Sequence, residues 1–372
     1  MSPLLVFGED WGRHNSGCQR IVLELLIRGH DITWVNTIGT RRPSMDLQTL
    51  TRGLEKCNQW LFKRHEKSAR LKPEVLSPLM WPSCHSRNER LLNGRLLNTQ
   101  LSKHIKRQPE LPIAITKVPL PESLLTSLPV KKWVYYSVDH VSAWPGCDRS
   151  ALEQMETALI QNADQIIVTS KKLQERFQDF DRSTDLLTHG VDLQLWNAPV
   201  SNYCLPEFPR PLIVFWGLID ARLDVAMLSN LGNKMTSGTI LMVGPQQNPP
   251  KELNDVPNLV QLGPVEYFDL PAIGKAADVL IMPYRKNEVT EYMQPVKLTE
   301  YMATGKPVVA TDIPATHAWK HAIDIASDPE DFTKKVLNAK RNALSDEQTK
   351  ERLRLQAEAW SAKAQMFLQL IN

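Results

Sequence analysis

The stretch from Asn287 to Asp312 has residue types and spacing that suit the binding of a diphosphate. Pro295 favours the start of a helix and Gly305 its left-handed end, so the pattern predicts a helix followed by a buried parallel strand. Lys297 would lie in the first turn, where an ammonium group, unpaired backbone N–H groups and the helix dipole together attract a diphosphate. Glu300, on the same face, is placed to accept hydrogen bonds from sugar hydroxyls. A surface Lys and Glu on an amphipathic helix is the alternative interpretation.

Short apolar runs alternate with helical segments along the chain and predict a doubly wound parallel sheet that occurs twice. The proline-containing segment 197–211 is typical of a linker between domains. We therefore predict an N-terminal domain over 1–197, a C-terminal domain over 198–344, and a helix over 345–372 that packs back across both. Ligands of such sheets bind at loops that follow the carboxyl ends of strands.

Further loops of this kind carry candidate site residues. The loop after the first strand contains Trp11, Gly12, Arg13 and His14, which could hold a substrate. The strand 133–138 ends before Asp139 and His140, an acid and a histidine suited to proton transfer or to orienting an acceptor. Arg222 follows the first strand of the second half, so that it and Lys297 could flank one diphosphate and stabilise a leaving group without a metal. Each of these residues also has a purely structural interpretation as a turn former or polar loop residue.

Composition describes a soluble globular protein, with 42% hydrophobic and 23% charged residues in a chain of 372, enough for two domains. The five cysteines include no Cys-x-x-Cys pair, which argues against a disulfide framework or a structural zinc site and favours a reducing compartment. No apolar run approaches ~18 residues, and the first residues lack the pattern of a signal peptide. We therefore expect a cytoplasmic protein, with the inner face of the cell membrane as its other candidate location.

Positive charge is concentrated in one part of the chain. Residues 41–132 contain 18 Lys and Arg against 7 Asp and Glu, whereas the whole chain has a net charge of only +3. A region so basic suits an anionic surface or a phosphorylated substrate, and we do not expect nucleic acid as a partner. Aromatic and aliphatic residues at 60–62 and 79–82 lie within it, a combination that suits the headgroup region of a membrane. The same side chains could instead form the core face of helices.

Eight segments together resemble one family, in the same order along nearly the whole chain. They are 135–140 (YYSVDH), 142–146 (SAWPG), 163–170 (ADQIIVTS), 189–192 (HGVD), 217–224 (GLIDARLD), 243–245 (VGP), 287–290 (NEVT) and 295–309 (PVKLTEYMATGKPVV). The family is that of the GT-B glycosyltransferases of group 1, family 4 and its close relatives. Among these, the chain is similar to bacterial transferases that build exopolysaccharides and teichuronic-type polymers.

The resemblance implies two Rossmann-like domains that face a central cleft. It also implies transfer of a hexose from a UDP- or GDP-sugar to a glycan or polyprenyl-linked saccharide in surface polysaccharide synthesis, with no metal or other cofactor. The N-terminal domain would bind the acceptor at the inner face of the membrane.

The resemblance further implies a donor site. Its members would be Gly217, Arg222, Gly244, Pro245, Tyr284, Thr290, Lys297, Leu298 and Glu300. Arg222 and Lys297 would hold the diphosphate and Glu300 the ribose, while Gly244 and Pro245 would lie near the base.

Two departures from the family pattern leave the mechanism open. The position eight residues before Glu300, acidic in the family, is Tyr292, and the usual Gly-Arg pair is Gly217-Leu218. An inverting enzyme would need a general base, for which Asp139 is the candidate.

Three other functions also stay open. They are a sugar-nucleotide 2-epimerase of the same fold, a nucleotide-sugar-binding protein without activity, and a Rossmann dehydrogenase. The last is disfavoured because the loop after the first strand does not match G-x-G-x-x-G.

Overall fold

The computed structural model describes residues 2–12, 16–38, 71–199, 203–339 and 343–372. The chain forms two compact units, the first from Met1–Leu187 with Ala364–Asn372 and the second from Thr188–Lys363. The second unit thus begins ahead of the proline-containing segment at which the sequence analysis placed the boundary. Each unit has its own parallel sheet with helices between strands, and the prediction of two doubly wound parallel-sheet domains is confirmed.

The described residues of the first unit form a seven-stranded parallel sheet. Its strands are β1 (Leu4–Gly8), β2 (Ile32–Asn36), β3 (Glu74–Leu76), β4 (Ile113–Thr116), β5 (Lys132–Ser137), β6 (Gln165–Val168) and β7 (Asp185–Leu186). They lie in the order β3-β2-β1-β4-β5-β6-β7, with Leu4 opposite both Ile32 and Ile113. The inner strands β1 and β4 are fully buried, which explains their short, continuously apolar sequences.

Helices of the first unit connect these strands. They are α1 (Gly17–Ile27), α2 (Arg87–Ile105), α3 (Glu122–Leu125), α4 (Arg149–Asn162) and α5 (Lys171–Gln178), with a 3₁₀ turn at Val141–Ala143. The sequence analysis did not predict α2, although a capping box between Ser86 and Glu89 marks its start. Among the residues that the structure describes, no helix is long and apolar enough to cross a membrane.

The second unit is built around a six-stranded parallel sheet within the described ranges. Its strands are β8 (Leu212–Trp216), β9 (Thr239–Val243), β10 (Leu259–Gly263), β11 (Val279–Met282), β12 (Val308–Thr311) and β13 (Asp324–Ala326). They lie in the order β10-β9-β8-β11-β12-β13, so the direction of strand addition reverses between β8 and β11. That reversal places the ends of β8 and β11 where doubly wound sheets bind ligands.

The remaining helices lie before, between and after these strands along the chain. They are α6 (Leu193–Asn197), α7 (Val225–Lys234), α8 (Leu270–Ala276), α9 (Glu288–Tyr292), α10 (Val296–Ala303), α11 (Pro314–His317), α12 (Pro329–Ala339), α13 (Asp346–Arg352) and α14 (Trp360–Ile371), with 3₁₀ helices at Lys251–Asp255, Tyr267–Asp269 and Leu353–Glu358. Helix α10 is the one predicted around Lys297. Pro295 is the residue just before it, and Gly305 ends it in the left-handed conformation with φ of 75°.

The prediction of one continuous helix over 345–372 is wrong. The backbone is extended at Ala359, with ψ of 141°, because its neighbours on both sides hydrogen-bond to the backbone of Val191. This pairing interrupts the helix and changes which side chains face inward. Leu353 is 69% exposed, whereas Leu355 is buried.

Candidate functional site

The candidate site lies at the carboxyl edge of the second sheet, in the loops that follow β8 and β11. These loops are joined to each other. Leu223 pairs with Tyr284 in an antiparallel bridge, and the N–H of Arg285 donates to the carbonyl of Arg222 at 2.8 Å. The pairing holds Arg222 and Tyr284 close together at the point where the strand order reverses.

Helix α10 is fastened to the end of β8 by Tyr301. Its hydroxyl accepts from the N–H of Trp216 and donates to the carbonyl of the same residue, both at 3.0 Å. Complete burial raises the pKa of Tyr301 well above its usual value, so the phenol remains a donor. Lys297 and Glu300 contact the same end of β8, as their spacing of three residues predicts.

Lys297 lies in an aromatic cradle. Its Nζ donates to the hydroxyl of Tyr284 and lies 4.5 Å from the ring centre of Phe215 and 5.0 Å from that of Tyr284. Cation–π contacts of this kind contribute roughly 0.5–2 kcal/mol each, depending on exposure. A phenol orients the ammonium group without neutralising its charge, which suits a site for an anion.

Two glycines allow the backbone to approach this ammonium group. Gly217 and Gly244 have φ of 138° and 140°, conformations that other residues rarely adopt. A Cβ atom on Gly217 would overlap Nζ of Lys297, and one on Gly244 would overlap the carbonyl oxygen of Gly217. Pro245 follows on the surface, and its carbonyl accepts from Ile219 at 2.9 Å. Both glycines therefore shape the space around Lys297.

Arg222 has a partner that the sequence analysis did not anticipate. Its Nε donates to both carboxylate oxygens of Asp220, at 2.9 and 3.0 Å, and Asp220 is buried. The guanidinium carbon lies 5.3 Å from the ring centre of Tyr284. Arg222 and Lys297 thus converge on one aromatic ring, but Arg222 does so as half of an ion pair rather than as a second isolated cation. The carboxylate orients the guanidinium group and offsets part of its charge.

Glu300 is buried between two donors. Its Oε2 accepts from the indole Nε1 of Trp216 at 3.2 Å, and its Oε1 accepts from the hydroxyl of Tyr267 at 3.1 Å. Tyr267 follows β10 and was missed, because no local spacing links it to a helix that begins about 30 residues later. Only the strand order β10-β9-β8 reveals that these loops share one edge of the sheet.

Two other predicted donor-site residues use their side chains within the protein. Leu298 packs into the core with 2% exposure. Thr290 is fully buried; its hydroxyl donates to the carbonyl of Arg285 at 2.7 Å and accepts from the N–H of Asn287 in a capping box. Both residues help to fix the loops and helices that carry the site.

Asp139 and His140 follow β5 in the first unit, at the carboxyl edge of its sheet, as predicted. Asp139 is half-buried, whereas His140 is buried with its Nε2 at 3.0 Å from the hydroxyl of Ser142. Within the described part of the chain, no group of three or more His, Cys, Asp and Glu residues is arranged to hold a metal ion.

Trp11 and Gly12 lie in the loop that follows β1 in the first unit. The N–H of Trp11 donates to Oδ1 of Asn36 at 3.0 Å, and that of Gly12 donates to Oε1 of Gln19 at 3.2 Å. Side-chain acceptors from two neighbouring elements therefore fix the backbone of this loop. The other two predicted acceptor residues, Arg13 and His14, lie outside the described residues.

The fold is that of GT-B proteins, as predicted from the sequence. The chain is similar to the sucrose-phosphate synthase from Thermosynechococcus elongatus, with a TM-score of 0.69 and 16% identity over 100% of this chain and 98% of that one. It is also similar to HepE of Anabaena, solved in complex with UDP and glucose, with a TM-score of 0.64 and 13% identity over 99% of both chains. At such low identity these likenesses establish the fold alone.

Residues 211–342 match the family described as glycosyl transferases group 1, and this range includes Lys297, Glu300 and both site glycines. The chain is also 28% identical over 179 residues to TuaH of Bacillus subtilis (strain 168), whose name provisionally describes it as a teichuronic acid biosynthesis glycosyltransferase. That match spans 45% of this chain and 45% of TuaH. The second unit therefore carries a group 1 glycosyltransferase domain, and the prediction of a transferase is confirmed at the level of this domain.

Proposed function

We propose that this protein transfers a hexose from a nucleotide diphosphate sugar to a glycan or lipid-linked saccharide in the synthesis of a surface polysaccharide. The observation that carries the proposal is that Lys297, in the first turn of α10, and Arg222 both lie against the ring of Tyr284. Glu300, one turn further along the helix, is positioned to accept hydrogen bonds from the ribose. The UDP bound by the similar HepE supports uracil as the base.

In the proposed reaction, the bond between the anomeric carbon and the diphosphate oxygen breaks as an acceptor hydroxyl attacks the carbon. Negative charge grows on the departing diphosphate, where Lys297 and the N–H groups at the start of α10 stabilise it most strongly in the transition state. Arg222 adds positive charge in an orientation set by Asp220. We assign Asp139 as the candidate acceptor of the hydroxyl proton, with His140 beside it. In this proposal these groups supply the positive charge, and no metal ion is required.

Binding and turnover test the proposal together. Thermal shift measurements with UDP, GDP and NAD should show stabilisation by one nucleoside diphosphate and none by NAD. At a ligand concentration of 100 times Kd the expected gain is about 2.7 kcal/mol. Release of UDP or GDP from the sugar donor should require an added saccharide acceptor and should persist in EDTA.

Three outcomes would contradict the proposal. Stabilisation by NAD alone would favour a dehydrogenase, and an epimer formed without acceptor would favour a 2-epimerase. Tight nucleotide binding with no transfer to any saccharide acceptor would favour a nucleotide-sugar-binding protein without activity. Loss of turnover in EDTA, restored by a divalent cation, would contradict the metal-independent mechanism alone.

We further propose that the first unit contacts an anionic membrane surface, where a lipid-linked acceptor would reside. Its exposed apolar side chains include Leu79, Trp81 and Leu92, exposed by 55%, 49% and 43%, which we call the Trp81 patch. The segment that carries Leu79 and Trp81 is held against α2, because the N–H of Trp81 donates to Oδ1 of Asn93 at 2.6 Å. The helix α2, which carries Leu92, also carries three exposed cations: Arg87, Arg95 and Lys103. Exposed apolar side chains and exposed cations carried by the same helix and the segment held against it suit an interface with anionic headgroups.

Replacing Trp81 and Leu92 together by serine should weaken binding to phosphatidylglycerol vesicles by roughly tenfold, the effect of losing about 1.4 kcal/mol of apolar burial. Co-sedimentation with these vesicles and with pure phosphatidylcholine measures the effect. Leu353→Ser is the matched control, since Leu353 is 69% exposed but lies in the second unit. Equal binding by the double variant and the control, or binding unaffected by 1 M salt, would contradict the proposed contact.

A further inference from the structure

A cavity of about 430 Å³ lies between three helices of the first unit, and the proposed reaction does not use it. Its lining includes Arg87 and Arg90 from α2, Glu122 from α3, and Gln154 and Ala158 from α4. The side chains of Arg87, Glu122 and Gln154 are exposed, so a ligand can enter from solvent. The cavity is therefore accessible, and regular helices rather than long loops form its walls.

Arg90 is held in place inside this cavity. Its Nη1 donates to the carbonyls of Cys84 and His85, at 3.2 and 2.7 Å, and its Nη2 donates to Oε1 of Gln154 at 2.8 Å. These bonds use three of the five N–H donors of a guanidinium group. All three acceptors are neutral, so they orient the positive charge of Arg90 without offsetting it.

The other charged groups of the cavity indicate the charge of its ligand. Arg87 lies three residues before Arg90, on the same face of α2. Its side chain makes no hydrogen bond or ion pair with any residue in the described ranges. With Glu122 as the only carboxylate in the lining, two guanidinium groups leave a net charge of +1. A ligand with one negative charge would neutralise it.

The geometry of two arginines favours a phosphodiester over the other common anions. A carboxylate has two oxygens, and a single guanidinium fork can engage both. A tetrahedral phosphate can be approached by two forks from different directions, as side chains one helical turn apart require. A phosphomonoester carries a charge of about −1.5 to −2 at pH 7, more than this cavity balances, whereas a diester carries one.

The remaining lining describes what the phosphate is attached to. Glu122 can accept hydrogen bonds from hydroxyl groups, and Leu91 and Met155 offer an apolar wall for carbon atoms. We infer that this cavity binds a phosphodiester that carries a polyol, with Arg87 and Arg90 on the phosphate and Glu122 on the hydroxyl groups. The headgroup of an anionic glycerolipid and a soluble glycerophosphodiester share this chemistry. The inference concerns the first unit alone and rests neither on the transferase reaction nor on the Trp81 patch.

Binding to two lipids of equal charge separates recognition in the cavity from attraction to a charged surface. Phosphatidylglycerol carries a glycerol on its phosphodiester, whereas phosphatidylmethanol has the same charge and no such hydroxyl groups. The wild type should prefer phosphatidylglycerol vesicles by about tenfold, the order expected for a hydrogen bond to a charged group. Co-sedimentation measures this preference, and a ligand-observed NMR titration with glycerophosphoglycerol tests the soluble source.

Two cavity variants should each abolish the preference. Arg87→Gln removes one charge from an exposed side chain, and Ala158→Phe keeps every charge but places a ring in the cavity. Arg107→Gln is the matched control, since Arg107 is exposed just beyond the end of α2 and does not line the cavity. It should keep the preference. The double serine variant at Trp81 and Leu92 should weaken binding to both lipids and also keep the preference.

The two sources predict different results. Loss of the lipid preference in both cavity variants, with no binding of glycerophosphoglycerol, would identify a lipid headgroup as the ligand. Binding of glycerophosphoglycerol that both variants lose would identify a soluble diester. A wild type that binds both lipids equally and does not bind glycerophosphoglycerol would overturn the inference, as would a preference or a titration that either cavity variant retains. Neither of these failures would affect the proposed transferase, whose nucleotide binding is measured without lipid.

Discussion

Lys297→Ala should lower kcat by roughly 10²–10³, the range seen when one donor that stabilises developing negative charge is removed. The ammonium group lies beside the backbone of Gly217 and is oriented by Tyr284 and Phe215, so it is preorganised before any ligand arrives. An alanine removes the charge without disturbing the helix, since alanine has the highest helix propensity. Single-turnover measurement of nucleotide release with saturating donor isolates the chemical step.

Lys334→Ala is the matched control for this variant, because it removes the same charge from an exposed position on α12 of the same unit. It should keep wild-type turnover. Lys297→Ala should also melt within a few degrees of the wild type, which separates lost chemistry from lost folding. Turnover of Lys297→Ala within threefold of the control would remove the central element of the proposed mechanism.

Because Arg222 forms an ion pair with Asp220, we expect Arg222 and Lys297 to contribute unequally to the binding of a diphosphate. Lys297 is oriented by neutral phenol and aromatic rings, whereas the charge of Arg222 is partly offset by a buried carboxylate at 2.9 Å. A ligand diphosphate would therefore gain more from Lys297 than from Arg222. The guanidinium group contributes shape and hydrogen-bond direction, and Asp220 keeps it aligned along the ring of Tyr284.

The sequence predicted the core of the second unit well, because its strands are buried on both faces. β8 and β9 are continuous apolar runs that end at Trp216 and Val243, as expected of the short apolar runs that predict a doubly wound sheet. The start of α7 also has a local cause, since the side chain of Asp224 accepts from N–H groups of the first turn. Buried strands and helix caps depend on residues that are close together in the sequence, so local sequence patterns are enough to predict them.

Other features depend on contacts between distant segments. α2 exposes Leu91 and Leu92 while it buries Asn93, so its apolar residues do not form the single stripe that identifies an amphipathic helix. The partnership of Tyr267 with Glu300 follows from strand order, and the break at Ala359 follows from pairing with a remote backbone. No periodicity in the sequence carries this information.

Gly244→Ala should weaken nucleotide binding by more than about tenfold and destabilise the second unit by roughly 1–3 kcal/mol, the usual cost of a strained backbone conformation. Its φ of 140° is unfavourable for alanine, and the new methyl group would overlap the carbonyl oxygen of Gly217, which is backbone and cannot rotate away. Relief of that overlap must displace Gly217 and, with it, the ammonium group of Lys297. Calorimetry with UDP and chemical denaturation measure the two effects separately.

Gly263→Ala is the control that separates the two effects expected in Gly244→Ala, the overlap of the new methyl group with Gly217 and the cost of a positive φ. Gly263 ends β10 at the same edge of the sheet and also has a positive φ, of 86°, but a Cβ atom there would meet no atom within 4 Å. This control should lose about 1–2 kcal/mol of stability from its left-handed conformation and retain nucleotide affinity. Equal affinity in the two variants would mean that the contact between Gly244 and Gly217 does not set the position of Lys297. A loss confined to Gly244→Ala would identify the two glycines as the backbone support of the diphosphate site.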